Sequence, residues 1–308
     1  MKIIAAMSGG VDSAVAAARA VEAGHEVIGV HLALSSNPQK YRSGARGCCT
    51  IEDSHDARRA ADVIGIPFYI WDMADEFHEG VVENFMSEYA AGRTPNPCLR
   101  CNEKIKFAAV LDRAKAMGFD GVVTGHYART QEGPMGRTLH RAIDPLKDQS
   151  YVLWGLTQSA LAMSQFPLGD LTKPEVRQLA HDAGYTDLAK KGESYEICFV
   201  PDNDYRNFLR RKVDGLDDLV KGGHFVDKTG KILGKHEGYP FFTIGQRKGL
   251  GMAFGQPMFV SEIRPNENEV VLGPVEELTR NGLKVRQPNL QKYASISPDL
   301  EVITKVRY

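Results

Sequence analysis

The sequence has few cysteines, no long apolar run and no excess of either charge. Five cysteines, an odd number in 308 residues, do not make a disulfide framework, which predicts a reducing, cytoplasmic setting. No apolar run approaches the roughly 20 residues of a membrane span, and the apolar stretch before Ser8 is too short for a signal peptide. Lysine and arginine number 38 against 39 acidic residues. No overall attraction to DNA or to anionic membranes is therefore expected, and polyanion binding requires local basic patches.

The first 125 residues alternate short β-branched apolar runs with helical stretches. This pattern predicts an α/β domain with a parallel sheet and helices on both faces. Ligands of such sheets bind beyond the carboxyl ends of the strands. The predicted strands are 2–7, 26–34, 67–71 and 121–124, the predicted helices are 12–23, 52–64, 76–90 and 103–117, and the long irregular connections are 35–50 and 92–102.

After about residue 205 the sequence changes to short strands separated by turn signals. Strands are predicted at 225–227, 232–233, 240–244, 258–263 and 269–272, and a third segment with strand character begins at Leu283 and ends in the β-like run 300–306. So short a final segment is not expected to close its own sheet, which indicates an incomplete C-terminal β domain. The predicted domains are 1–205, 206–275 and 276–308.

The first strand runs into the hexapeptide Ser8–Ser13 and then a helix. Gly9 and Gly10 permit positive φ and a close approach to the backbone, while the helix N-terminus and both serines favour an anion. By itself, the glycine pair is equally well explained as an ordinary strand-to-helix turn. The loop lacks the lysine of GxxxxGK[ST] and the spacing of GxGxxG.

The whole hexapeptide resembles the SGGxDS loop of the PP-loop ATP pyrophosphatases, whose fold is adenine nucleotide alpha hydrolase-like. The resemblance implies that ATP is cleaved between its α and β phosphates, with Mg²⁺ near Asp12. By position, the residues that match the family's ATP pocket are Ala6, Met7, Ser8, Gly9, Gly10, Val11, Asp12, Ser13, Leu32 and Gly125.

Three cysteines occur in settings of chemical interest. Cys98 and Cys101 lie three residues apart in a proline-containing stretch with basic neighbours, where thiolate character is expected. A lone CxxC is weak support for zinc, which usually has four ligands. Cys198 between Ile197 and Phe199 can equally be a small buried apolar residue. The vicinal pair Cys48-Cys49 is interpreted as structural.

Further segments resemble the bacterial tRNA 2-thiouridylases along the whole chain. They are Thr94–Pro97 with Cys101-Asn102 and Lys106-Phe107, Gly125–Ala128, Asp144 with Lys147–Tyr151, Glu193-Ser194 with Ile197–Phe199, and Gly245–Gly251. The resemblance implies ATP-dependent adenylation of C2 of the wobble uridine U34 in tRNAs for Lys, Glu and Gln. Sulfur from an upstream carrier protein would then replace the oxygen and release AMP.

Within this resemblance, Cys101 matches the catalytic nucleophile and Cys198 the residue that carries the persulfide. Sulfur transfer would leave a Cys101–Cys198 disulfide to be reduced in each turnover. Cys98 departs from the aspartate of the best-studied branch. Together, Cys98, Cys101 and Cys198 therefore allow a second interpretation, a [4Fe–4S] cluster with one open iron. The alternative is that Cys98 is a neighbouring thiol that tunes or resolves Cys101.

The same resemblance implies contacts with tRNA, whose target base must leave its stack to reach Cys101. The matching residues are Asn96, Pro97, Cys98, His126, Lys147, Asp148, Gln149, Arg307 and Tyr308. Family members continue beyond the last pair into a C-terminal β-barrel, which is expected to be truncated here. Basic clusters for phosphate contacts are Lys190-Lys191, Arg206 with Arg210–Lys212, and Arg247-Lys248.

Two other functions compete with this one. A PP-loop amide-forming synthetase would act on a small carboxylate without needing Cys101. A tRNA-binding or sulfur-carrying protein without turnover would result if the missing part of the barrel were essential.

Overall fold

The fold is described from a computed structural model, which defines residues 1–34, 51–192, 197–200 and 202–304. Cys48 and Cys49, Glu193 and Ser194, and Arg307 and Tyr308 lie outside these residues. The helices are α1 Val11–Glu22, α2 Ile51–Ile64, α3 Ala74–Phe77, α4 Glu83–Ala90, α5 Pro97–Arg100, α6 Val110–Ala116, α7 Gln158–Ala162, α8 Lys173–Asp182, α9 Thr186–Lys190, α10 Tyr205–Lys212 and α11 Leu216–Leu219. The strands are β1 Lys2–Ala6, β2 Glu26–Ala33, β3 Phe68–Asp72, β4 Gly121–Val123, β5 Ala128–Gly133, β6 Gly136–Arg141, β7 Ser164–Gln165, β8 Gly223–Val226, β9 Ile232–His236, β10 Phe259–Arg264 and β11 Glu269–Gly273.

The first sheet is parallel and has the order β3-β2-β1-β4-β7. β1 lies at its centre, between β2 and β4, and its residues Ile3, Ile4 and Ala5 are fully buried. The strand order reverses at β1, because the chain first adds strands on one side and then on the other. Such a switch point opens a crevice beyond the carboxyl ends of the central strands. The predicted parallel-sheet domain is therefore confirmed.

The second sheet has the order β10-β11-β8-β9, with antiparallel outer pairs and a parallel β11–β8 pair. Its apolar side is filled by Phe225, Val260, Val270 and Leu272, all essentially inaccessible to solvent. The predicted β-rich region is confirmed, although residues 240–244 are not a strand. A 3₁₀ turn, Tyr239–Phe241, occupies that position. Pro240 explains the difference, because proline lacks the N–H that a ladder requires.

Two uninterrupted helical stretches contain π-helical segments. His78–Val82 joins α3 to α4, and Cys101–Ala109 joins α5 to α6. The second stretch begins at Pro97, six residues before the predicted start at Glu103, so the predicted irregular connection 92–102 is shorter than expected. Asn96 caps it by accepting a hydrogen bond from the N–H of Leu99 at 3.2 Å. Asn102 is buried within the π segment.

The expected strands after Leu283 are absent from residues 283–304, the described part of that segment, which contain turns and irregular chain only. Asn289 and Gln291 attach this segment to the first domain, because their side-chain amides donate to the carbonyl oxygen of Leu156 at 2.9 and 3.0 Å. No helix of the described residues is long and apolar enough to cross a membrane.

The second sheet contains a histidine that titrates unusually. His236 packs against the rings of Phe225 and Phe242, with centroids 5.0 and 5.2 Å apart, and burial lowers its pKa from 6.5 to about 4. The unfolded chain therefore takes up a proton near pH 6.5, whereas the folded chain does so only near pH 4. Folding stability should fall as the pH is lowered through this window and level off below it.

We expect His236→Asn to make this fall in stability shallower, because asparagine does not titrate. The Gly238 N–H now donates to Nδ1 of His236, and the asparagine side-chain oxygen can accept that hydrogen bond instead. Urea unfolding at several pH values between 7 and 4 measures the slope. His181→Asn, at an exposed position, is the control. An unchanged slope in His236→Asn would show that burial of this imidazole does not govern the acid response.

Candidate functional site

The loop after β1 is held against α2 by contacts that only glycine permits. Gly9 has a φ of +78°, and a Cβ atom placed on it would lie 2.2 Å from the carbonyl oxygen of Asp53. On the other side, a Cβ on Gly125 would lie 2.7 Å from the backbone N of Ser13. The ends of β1 and β4 and the start of α1 thus meet without side chains between them.

The serines of the loop fold it around the first turn of α1. The Ser13 hydroxyl donates to the carbonyl oxygen of Gly10 at 2.9 Å and accepts from the N–H of Ser8 at 3.1 Å. Gly10 is the N-cap of α1, and no side chain of the described residues caps this helix. The first-turn N–H groups and the helix dipole favour an anion at this position.

Asp12 lies in that first turn and is held by two residues far along the chain. The Lys173 ammonium lies 2.7 and 2.8 Å from the two carboxylate oxygens, and the Tyr127 hydroxyl donates to one of them at 2.8 Å. The Lys173 side chain is only 8% exposed. The backbone N–H of Lys173 donates to the buried carboxylate of Asp144 at 3.0 Å, and this hydrogen bond fixes the start of α8. This is a partly buried cation placed directly beside the candidate phosphate loop.

A second lysine holds the loop from behind. The Lys191 ammonium lies 3.0 Å from the carbonyl oxygen of Gly9, 2.8 Å from Asp53 and 2.7 Å from Asp56. Burial alone would lower the pKa of Lys191, but the two carboxylates outweigh it and raise that pKa. Because a trans peptide directs its C=O and N–H in opposite directions, Lys191 also fixes the direction of the Gly10 N–H.

A cavity of about 200 Å³ lies at the carboxyl ends of β1, β2 and β4. Among the predicted ATP-pocket residues, seven line it: Ala6, Met7, Ser8, Asp12, Ser13, Leu32 and Gly125. Gly9, Gly10 and Val11 do not line it and form the turn behind it; Val11 is buried in the core. The cavity is also lined by His31, Leu34, Lys106, Thr124, His126 and Gln149.

Two histidines in the lining have fixed hydrogen bonds. His31 Nδ1 lies 2.9 Å from the carbonyl oxygen of Met7, which can only accept, so this nitrogen carries the proton. His126 Nδ1 lies 2.7 Å from the Thr124 hydroxyl. Burial, and then the nearby charge of Lys106, hold the pKa of His126 well below its usual value. His126 is therefore neutral at pH 7.

The candidate nucleophile lies on a helix that reaches this cavity. Cys98 is exposed in the first turn, whereas Cys101 is 8% exposed where the π segment begins. Lys106, five residues after Cys101 and so about one turn along a π helix, lines the cavity. Cys101 was expected in a loop ahead of the helix, and the structure corrects this. Its position within the helix fixes its distance from the cavity wall.

Cys198 lies in a short turn that packs against the same apolar core as Cys101. The next residue, Phe199, makes edge-to-face contacts with Phe77, Phe85 and Phe208, with ring centroids 5.2–5.7 Å apart. This aromatic cluster fixes the turn that carries the thiol. The partly buried Cys198 is thus held by the core and is not an exposed surface cysteine.

The described residues contain no group of three Cys, His, Asp or Glu side chains placed to hold a metal ion. Cys98, Cys101 and Cys198 are all described, so this arrangement does not fit a cluster held by these three thiols. Magnesium bound with ATP has a smaller requirement, one or two carboxylates with phosphate oxygens and water. Asp12 is the one carboxylate among the cavity-lining residues and fits that role.

The predicted tRNA-contact residues lie in different surroundings. Gln149 and His126 line the cavity, and the Asp148 carboxylate is used internally, because it accepts from the N–H groups of Ala142 and Ser150 and from the Ser150 hydroxyl. Lys147 lies in the same tight loop. Asn96, Pro97 and Cys98 form the start of α5, while Arg307 and Tyr308 lie outside the described residues.

The basic clusters are partly engaged within the protein. Arg210 pairs with Asp217 and Glu237, and Arg211 pairs with Asp202. Arg247 and Lys248 are exposed.

Sequence reasoning missed Lys173 and His31, and it gave no role to Lys106 and Tyr127 although both lie in segments that match the family. The pattern Thr172-Lys173-Pro174-Glu175 signals a helix start, and Glu175 does accept from the backbone and hydroxyl of Thr172. That signal locates Lys173 on a helix but does not identify Asp12, 161 residues away, as its partner.

The buried ion pair generates a stability prediction. Lys173→Met should lower the free energy of unfolding by about 1–3 kcal/mol, because it leaves the Asp12 carboxylate, which is 31% exposed, without its cation. The double variant Asp12→Asn/Lys173→Met should lose less than the sum of the two single variants. Urea unfolding of the four proteins measures this coupling, with exposed Lys190→Met as control. Strictly additive losses would contradict the pairing.

Comparison with known proteins accounts for both sheets. A family model described as "tRNA methyl transferase HUP domain" matches residues 1–202, and one described as "tRNA methyl transferase PRC-barrel domain" matches 207–274. Curated relatives named "tRNA-specific 2-thiouridylase MnmA" include that of Nocardioides sp., 60% identical over 94% of this chain and 80% of its own length. Those of Acidothermus cellulolyticus and Thermobifida fusca are 56% and 60% identical, over 94% and 90% of this chain and 79% and 74% of theirs. With this identity over nearly its whole length, the chain belongs to the tRNA-specific 2-thiouridylase family.

Proposed function

We propose that this chain is an ATP-dependent tRNA sulfurtransferase that converts the wobble uridine U34 to 2-thiouridine. The proposal rests on one observation: a single helical stretch carries a candidate sulfur-transfer cysteine and also forms part of the wall of the candidate ATP cavity. Cys101 lies on it, and Lys106, about one turn further on, lines the cavity that also contains Asp12 of the phosphate loop. The names of the relatives agree with this assignment. A carboxylate-activating synthetase has no use for a cysteine in that position.

In the first half of the reaction, ATP occupies the cavity with its phosphates at the start of α1. The α1 N–H groups and the Lys173 ammonium, 2.7 Å from Asp12, supply fixed positive charge where pyrophosphate develops. Magnesium held by Asp12 and the phosphates would neutralise further charge on the leaving group. The uridine O2 attacks the α-phosphorus, the bond to the bridging oxygen breaks, and pyrophosphate departs.

In the second half, the terminal sulfur of a Cys198 persulfide attacks C2 of the adenylated uridine, and AMP leaves with the former O2. The Cys101 thiolate then attacks Sγ of Cys198. The sulfur–sulfur bond breaks, 2-thiouridine is released, and a Cys101–Cys198 disulfide forms. A dithiol reductant returns both thiols, and an upstream sulfur-carrier protein reloads Cys198. A reducing cytoplasm supplies the required setting.

For substrate binding, we assign Asn96, Pro97 and Cys98 to the strip beside the target base, because this helix start precedes Cys101 by one turn. Lys147, Arg247 and Lys248 are assigned to phosphate contacts. Arg307 and Tyr308 are assigned to tRNA on the family resemblance alone.

The thiolation chemistry predicts different results for the three cysteines. Incubation with ATP, Mg²⁺, a persulfide donor and unmodified tRNA for Lys or Glu, followed by mass analysis of the nucleosides, should detect 2-thiouridine. Cys101→Ala and Cys198→Ala should each reduce the rate by several orders of magnitude while ATP is still cleaved, because the first removes the thiolate that releases the product and the second removes the persulfide carrier. Cys98→Ser should retain most activity.

The activity of Cys98→Ser, together with the iron content of the protein, separates the persulfide mechanism from the cluster mechanism. If Cys98→Ser abolishes thiolation and the wild-type protein purified without oxygen contains iron, the persulfide mechanism is wrong. If no variant or wild-type protein yields thiolated nucleoside while a small carboxylate stimulates pyrophosphate release, the synthetase alternative replaces the proposal.

Adenylation predicts a second, independent result. Asp12→Ala and Lys173→Met should each lower tRNA-dependent pyrophosphate release by about 10²- to 10³-fold, because each removes a preorganised group beside the phosphates. Pyrophosphate release is measured under conditions where both variants are folded, with Lys115→Met, at an exposed position outside the site, as the matched control. Normal release from either variant would contradict its role at the phosphate loop.

A further inference from the structure

Trp154 is a large aromatic residue exposed beside the helix that carries Cys101. Its side chain is 46% exposed, although tryptophan usually buries most of its surface. It immediately follows a 3₁₀ turn, Ser150–Leu153, which packs against the start of α5. The helix start that was assigned above to the strip beside the target base therefore contacts the turn that this tryptophan follows.

The backbone around Trp154 is fixed on both sides. Before it, the carbonyl oxygen of Val152 accepts from the Asn102 amide at 3.3 Å, and after it, a Cβ on Gly155 would lie 3.3 Å from Cγ of Glu103. Asn102 and Glu103 directly follow Cys101. The position of Trp154 relative to the nucleophile is thus set by two contacts with the same helical turn.

A third support comes from the C-terminal segment. The side-chain amides of Asn289 and Gln291 donate to the carbonyl oxygen of Trp154 at 2.6 and 3.3 Å. These two hydrogen bonds hold the backbone of Trp154, while its indole side chain remains accessible. A rigidly mounted, exposed ring loses little conformational entropy when a flat ligand stacks on it.

The charges beside the ring are predominantly positive. Glu103 pairs with both Arg100 and Lys104 at 3.0 Å, so this cluster keeps one unit of excess positive charge. Both basic side chains remain partly exposed. An aromatic surface next to a basic cluster is the combination that single-stranded RNA binds, by base stacking and phosphate contacts.

We propose that Trp154 is the stacking surface for an anticodon-loop base next to the extruded target uridine. The inference rests on the proposed function and deepens it. When U34 leaves its stack to reach Cys101, the neighbouring base loses a stacking partner, and the indole replaces it. Stacking accepts any base, so Trp154 contributes affinity to every substrate tRNA and does not choose among them.

Intrinsic fluorescence tests the proposal, because the chain has only two tryptophans. In a Trp71→Phe background, Trp154 is the only indole, and titration with an anticodon stem-loop RNA should quench its emission. Trp154→Leu should weaken binding of this RNA about 5- to 100-fold, whereas Trp154→Phe should retain most of the affinity. Leu219→Ala, at an apolar position that is 76% exposed, is the matched control and should bind normally.

Abasic RNA separates stacking from a structural role. Stem-loop RNAs lacking either the base before U34 or the base after it are compared. One of these two changes should weaken binding to the Trp71→Phe protein but have little further effect on binding to Trp154→Leu, because removing the base and removing the indole abolish the same contact. Equal penalties in both proteins, no quenching, or normal binding by Trp154→Leu would overturn the inference. Emission that responds to a sulfur-carrier protein and not to RNA would also overturn it. Failure of the unmodified protein to bind any stem-loop would instead count against the proposed function.

Discussion

The contact between Asp12 and Lys173 connects the first loop of the chain to the last third of the first domain. Its partners are 161 residues apart, and Tyr127, from the segment after β4, makes a second contact to Asp12. The charge of a lysine this buried is tolerated because a carboxylate lies beside it. The pair therefore helps to fix where α8 packs against α1, and Asp144 fixes the backbone of the lysine in turn. The geometry of the phosphate loop depends on residues that its own sequence does not contain.

The loop itself is shaped by the absence of side chains and by one ammonium group. Gly9 lies against the backbone of Asp53, and Gly125 lies against the first turn of α1, at distances that no Cβ atom could share. Lys191 then holds the Gly9 carbonyl oxygen towards α2. Because the peptide is planar and trans, this contact prevents the Gly9–Gly10 unit from rotating freely. The two glycines thus allow β1, β4, α1 and α2 to approach one another closely. The Lys191 ammonium then sets the direction of the Gly10 N–H at the start of α1.

The sequence was sufficient to predict the elements whose signals are local. The hexapeptide between an apolar strand and a helix identified the phosphate loop, and seven of the ten residues matched to the ATP pocket line the cavity. The start of the Cys101 helix was misjudged, although Asn96 as cap and Pro97 at the first position are ordinary start signals. Lys173 could not be predicted, because a contact across 161 residues leaves no local pattern. Residues 283–304 alternate apolar and polar residues as a strand does. A segment with high β-propensity becomes a strand only when another strand lies beside it, and this segment pairs with none of the described strands.

The helical stretch 97–116 would allow the two proposed steps to act on neighbouring atoms of one substrate. Adenylation occurs at the uridine oxygen and sulfur transfer at the carbon bonded to it, so the two sets of residues must be aligned within about a bond length. A continuous helix meets this requirement, because Cys101 and the cavity-lining Lys106 are separated by fixed backbone geometry and not by a flexible loop. The π segment widens the helix where both residues lie, and Asn102 in the same turn anchors the neighbouring 3₁₀ turn. One rigid element therefore links the positions of Cys101, of Lys106 in the cavity wall and of the turn that precedes Trp154.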